Sequence, residues 1–182
     1  MTVWPHEAAY TVTHSRELNM KPKVYIETFV SYLTSRPSRD VVIVGYQQTA
    51  RDWWRDAADR FELVASELVI NEASAGDADA ASDRPAALKT ITLLDATEAA
   101  ADLAQQLVAS SAIPEKSAED AAHIAIAVTN GVEYLVTWDC RHIANATMRS
   151  QIETVCRSAG YEPTIICTPD ELMESDDEKA NE

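Results

Sequence analysis

The chain has 182 residues, 46% of them hydrophobic and 25% charged, a balance that suits one soluble globular domain with a sizeable core. A net charge of −15 argues against loose, general binding to polyanions, so any nucleic-acid role must rest on a local site. No apolar run is long enough for a membrane span, no basic and then apolar leader opens the chain, and three cysteines build no disulfide framework; a reduced, cytoplasmic protein is expected.

The charge is uneven. Residues 21–60 hold seven Lys/Arg against five Asp/Glu, whereas residues 61–133 hold three against thirteen. Residues 171–182, "ELMESDDEKANE", carry six acids and one lysine, and 174–182 read as a disordered acidic tail. Residues 1–19 lack periodicity and Met20 directly precedes the first strand, so 1–19 read as an extension and 20–173 as the domain.

In chain order, residues 23–27 predict a strand and "TFVSYLTS" a short helix stopped near Pro37. A longer helix is expected from Asp40 through "VVIVGYQQTARDWWRDAADR", then a strand over 61–66 and a helix in "ELVINEASAG" that stops at Gly76. Residues 77–87 read as a loop with a short helix. A strand follows at 91–95, and Thr97 caps a helix in "TEAAADLAQQLVASS". "SAEDAAHIAIAVTNG" is the next helix, stopping at Gly131, followed by a strand at 134–138. A helix in "HIANATMRSQIETVCRSAG" and a strand at 164–168 complete the domain. Strands alternating with helices imply an α/β fold: a mostly parallel central sheet flanked by helices in three layers.

In a parallel sheet, ligands bind beyond the carboxyl ends of the strands. Glu27 closes the first strand and Asp139 follows the fourth, so both belong to that edge. Asp120 falls in the first turn of a helix, where the macrodipole favours a carboxylate. Glu72 lies in the helix after the second strand. Taken singly, each has a plain reading: a cap, a turn residue or an exposed helix position. Taken together, four convergent carboxylates repel unless a cation joins them, and all-oxygen ligation suits Mg²⁺ or Mn²⁺ rather than Zn²⁺. Both readings stay open on the residues alone.

"VYIETFVSYL", "FELVASELVINEASAGD", "SAEDAAHIAIAVTNGVEYLVTWDCRHIAN" and "GYEPTIICTPDELM" together resemble PIN-domain proteins, above all the VapC-like branch of toxin–antitoxin ribonucleases. The resemblance covers about residues 20–173. It implies a PIN-like sandwich and a metal-dependent endoribonuclease that binds Mg²⁺ or Mn²⁺ through acidic residues and cuts RNA. It also implies an antitoxin partner and a homodimer built partly from the early helices, with "VVIVGYQQTARDWW" as the apolar surface. Residue by residue, Glu27 matches the first acid, usually an Asp, and Glu72 the second, with Glu67 as the alternative register. Asp120 matches the acid opening the "D-A-x-H-I-A" helix, and Asp139 the position ending the fourth strand. Thr28 and Thr137 match small hydroxyl positions beside the acids. Glu27 is one methylene longer than the usual Asp, which shifts where an ion would sit.

Other residues weigh less. Adjacent Trp53 and Trp54 cannot face the same way on a helix, so one is expected in the core and one partly exposed. His123 reads first as a hydrogen-bonded structural histidine. Cys140 and His142 lack a second spaced pair, which leaves zinc poorly supported. Arg51, Arg141 and Arg149 are surface candidates for phosphate contact. No G-x-G-x-x-G or Walker-type motif occurs. The competing class is a non-catalytic α/β binding module, PIN-like or receiver-like; a receiver normally needs a lysine near the fifth strand, and "TIICTPDEL" has none.

Overall fold

A computed structural model describes residues 21–27, 30–34, 36–74, 88 and 91–173. The expected extension, Thr28, the 77–87 loop and the acidic tail lie outside the described residues.

Five parallel strands form one sheet: β1 (Lys23–Ile26), β2 (Glu62–Ser66), β3 (Thr92–Leu94), β4 (Tyr134–Val136) and β5 (Ile165–Cys167). Their order is β3-β2-β1-β4-β5. Strand β1 is central, with Val24 paired to Leu63 on one side and to Tyr134 on the other. Val24, Tyr25 and Ile26 are fully buried, as a strand covered on both faces requires, and this explains the unbroken apolar run. The α/β class and the flanking helices are as the alternation of elements predicts.

From β1 the chain passes through α1 (Val30–Thr34) and α2 (Val41–Arg60). Asp40 caps α2 by accepting from the Val42 N–H, and Phe61 turns extended to enter β2. Trp53 is buried 6.2 Å from the Phe61 ring centroid and Trp54 is partly exposed, the division expected of adjacent helical positions. Helix α3 (Glu67–Ser74) follows β2 without a loop. Thr97 caps α4 (Glu98–Ala109), and a 3₁₀ turn (Glu115–Ser117) leads into α5 (Ala118–Thr129). Helix α5 ends at Asn130, where Gly131 takes a φ of +63° that favours glycine. After β4 come α6 (Ala146–Ser158) and β5, then a 3₁₀ turn (Pro169–Leu172) whose Leu172 carbonyl accepts from Arg60 of α2.

The strands are trimmed by a residue or two against expectation, as β4 ends at Val136 and not at 138, and one helix begins later than expected. Helix α6 starts at residue 146, not 142. Asp139 Oδ1 accepts from the backbone N–H groups of Arg141 and His142, which folds residues 140–144 into turns, and Asn145 then caps the helix.

The strand order decides where a ligand can enter. Successive strands run outward from β1 to β3 on one side and from β4 to β5 on the other, so the direction reverses between β1 and β4. A crevice opens beyond the carboxyl ends at such a reversal. Phosphoacceptor receivers carry the order 2-1-3-4-5 instead, so this sheet departs from the receiver pattern.

Candidate functional site

Glu27 leaves β1 at that reversal and is 4% exposed. Its backbone N–H donates to the Val136 carbonyl, and its Oε2 accepts from the Thr137 hydroxyl at 2.7 Å. Thr137, fully buried, also accepts from the Asp139 N–H at 2.8 Å. One hydroxyl thus ties the end of β1 to the end of β4. Asp139 is locked in turn through Oδ1, while its Oδ2 lies 3.3 Å from His142 Nδ1.

Asp120, in the first turn of α5, completes this half: its Oδ2 lies 3.1 Å from the same His142 nitrogen. Ser117 Oγ stands 3.4 Å from that nitrogen. Asp120, Asp139 and His142 line a cleft of about 590 Å³ together with Glu115, Lys116, Ser117, Ala118 and Glu119. Burial, then the charges of Asp139 and Glu27, hold the Asp120 carboxyl above the ordinary range against the opposing pull of Ser117 and His142.

The other half is built around His123, fully buried on α5. Its Nε2 stands 3.1 Å from both carboxylate oxygens of Glu72 on α3. Its Nδ1 lies 2.9 Å from the Tyr25 hydroxyl, which is 2.6 Å from Ser66 Oγ at the end of β2. Burial pulls the His123 pKa down, but the Glu72 hydrogen bond and the charges of Glu27, Glu72 and Asp120 outweigh it and the net shift is upward. Glu27 therefore acts on both halves, since its charge reaches Asp120 and His123 alike.

The four carboxylates named from the sequence come to this edge as two pairs, Glu27 with Glu72 and Asp120 with Asp139. Glu67, the alternative register for Glu72, is exposed and lines a separate pocket with Leu93, Leu94 and Asp95. His123 is hydrogen-bonded, as its first reading held. His142 is the residue the sequence reading undervalued. The signal for it was local: it stands three residues past Asp139, within one turn of that carboxylate, and needed no second Cys/His pair. Arg141 is exposed and Arg149 partly buried. Tyr32 flanks the site, its hydroxyl pushed upward by burial, by Tyr46 and then by Glu27, Asp139 and Cys140.

Among the described residues, two groups present donor atoms within 4.8 Å of one another: Glu27 with Glu72 and His123, and Asp120 with Asp139 and His142. Hard carboxylate oxygens dominate both, a donor set that fits Mg²⁺ or Mn²⁺. Burial first, and then the neighbouring charges of Asp139 and Glu27, raise the Asp120 carboxyl, and a divalent ion would relieve the repulsion between these charges. The chain matches no protein-family model and no curated protein. Among the described residues, no helix is long and apolar enough to cross a membrane.

Proposed function

We propose that the chain is a divalent-metal-dependent endoribonuclease, the toxin of a type II toxin–antitoxin pair. The observation that carries the nuclease reading is the meeting of Glu27, Glu72, Asp120 and Asp139 at the sheet's reversal point, on rigid elements and beside an open cleft. The PIN-like, VapC-like sequence pattern supplies the substrate class, RNA, and the partner class, an antitoxin protein; a homodimer belongs to the same reading.

Glu27, Glu72, Asp120 and Asp139 would hold Mg²⁺ or Mn²⁺. When bound, the ion activates water and offsets charge that builds on the scissile phosphate. The chain's own residues do the positioning. Thr137 fixes the Glu27 carboxylate, and the Arg141 and His142 N–H groups fix Asp139 so that its second oxygen faces Asp120 and His142. The burial of Glu27 and His123 excludes bulk water from one wall, which strengthens every charge interaction there.

The test is incubation of purified protein with RNA in Mg²⁺, Mn²⁺ or EDTA, beside Asp120→Asn. The amide keeps the size and removes the charge, so cleavage should fall about 100-fold or more. Undiminished cleavage in EDTA would overturn the mechanism. RNA left intact under all conditions would favour a non-catalytic PIN-like module.

A further inference from the structure

We infer that His123 Nε2 is itself a metal ligand, so that the ion held by Glu27 and Glu72 carries one nitrogen donor and the site prefers first-row transition ions to Mg²⁺. The inference rests on the metal-dependent reading above and adds to it a ligand and a selectivity.

Distance is the first support. Around an ion with bonds of about 2.1 Å, adjacent ligands stand about 3 Å apart and opposite ones about 4 Å. His123 Nε2 is 3.1 Å from both Glu72 oxygens, and the Glu27, Glu72 and His123 donors all lie within 4.8 Å of one another. The His123 and Glu72 donors are already spaced as neighbours in one coordination sphere, and Glu27 stands close enough to join them by a small shift.

Orientation is the second. A ligating imidazole offers a bare Nε2 and carries its proton on Nδ1, and an outer hydrogen bond fixes that tautomer. The Tyr25 hydroxyl stands 2.9 Å from Nδ1 and can accept that proton's bond while donating to Ser66. All three groups are buried, on β1, β2 and α5, so the ring cannot swing away.

Selectivity follows from the donor type. Mg²⁺ takes oxygen ligands and keeps its waters, whereas affinity for imidazole rises along the first transition row from Mn²⁺. The His142 imidazole, by contrast, is partly exposed and turns one nitrogen, Nδ1, toward two aspartates and Ser117.

The experiment uses the full chain with Mn²⁺, Co²⁺ and Mg²⁺ as probes. Titration calorimetry should show Mn²⁺ and Co²⁺ binding about tenfold or more tightly than Mg²⁺, and His123→Gln should erase most of that preference. Pulsed EPR of the Mn²⁺ form should show a ¹⁴N coupling that persists in His142→Gln and vanishes in His123→Gln. If His123→Gln fails to fold, a coupling that persists in a variant with His6, His14 and His142 all replaced by Gln still decides for His123. Mn²⁺ bound with no nitrogen coupling, or a coupling lost only in His142→Gln, overturns the inference and leaves the carboxylate site standing. No ion binding at all overturns this inference and the metal-dependent reading together.

Discussion

Thr137 shows how much one side chain can govern. Its hydroxyl donates to Glu27 and accepts from the Asp139 N–H, and it is fully buried. In Thr137→Val the shape is kept and both bonds vanish, leaving a buried carboxylate short of a donor. Losing a bond to a charged acceptor costs about 1.5–3 kcal/mol, which urea denaturation should register. His123 sets a pH dependence in the metal-free protein. Its folded pKa lies above its ordinary 6.5, so the proton favours the fold. The stabilisation is complete below 6.5 and fades as pH climbs through the folded pKa. Melting temperature should therefore fall over that window in EDTA, and the slope should flatten in His123→Gln.

At the scale of elements, α2 and its junction with β2 give a contrast between neighbours. Trp53 is 2% exposed and packs near Phe61, so Trp53→Ala should cost about 3–5 kcal/mol, while Trp54→Ala should cost clearly less. Chemical denaturation of the two variants side by side makes the comparison. Elements whose ends depend on local chemistry were legible in the sequence. Thr97 caps a helix that begins where that cap predicts, α2 begins directly after Asp40, and Gly131 closes α5. The start of α6 was not legible, because helical periodicity says nothing of the Asp139 side chain that captures two N–H groups and holds the chain in turns. The site divides likewise. Strand ends and a helix start put Glu27, Asp139 and Asp120 on one edge, and Glu72 reaches it from within α3. The His142 contact with Asp139 is local and could be read from the spacing, but its contact with Asp120, a residue of a different element, could not. The burial of Tyr25 and Ser66 behind His123 was hidden too, since it depends on which face of β1 meets α5.

The whole molecule carries −15, and its cleft is lined by acids. Such a surface repels a polyanion at long range. Association of the unaltered protein with a 2′-O-methyl RNA that resists cleavage, read by gel shift, should strengthen with Mn²⁺ and disappear in EDTA; affinity unchanged by EDTA would place RNA elsewhere on the surface. The acidic segment 174–182 offers no apolar face to bury. A chain ending at Met173 keeps the Arg60 bond to the Leu172 carbonyl and should melt within a degree or two of the full chain, about the shift from a few tenths of a kcal/mol. A clearly lower melting temperature would assign that segment a structural role.

The bond between Glu27 and Thr137 spans 110 residues of chain. At translation speeds of about 5–20 residues per second, the first carboxylate leaves the ribosome about 5–20 s before its anchoring hydroxyl. Until β4 docks beside β1, Glu27 has neither Thr137 nor the Val136 carbonyl to hold it, and Asp139 does not yet exist. A half-made chain therefore carries acids without a centre. The carboxylates of the two strand ends come to one edge only after β4 has docked beside β1, so the order of synthesis sets the order in which the centre is assembled.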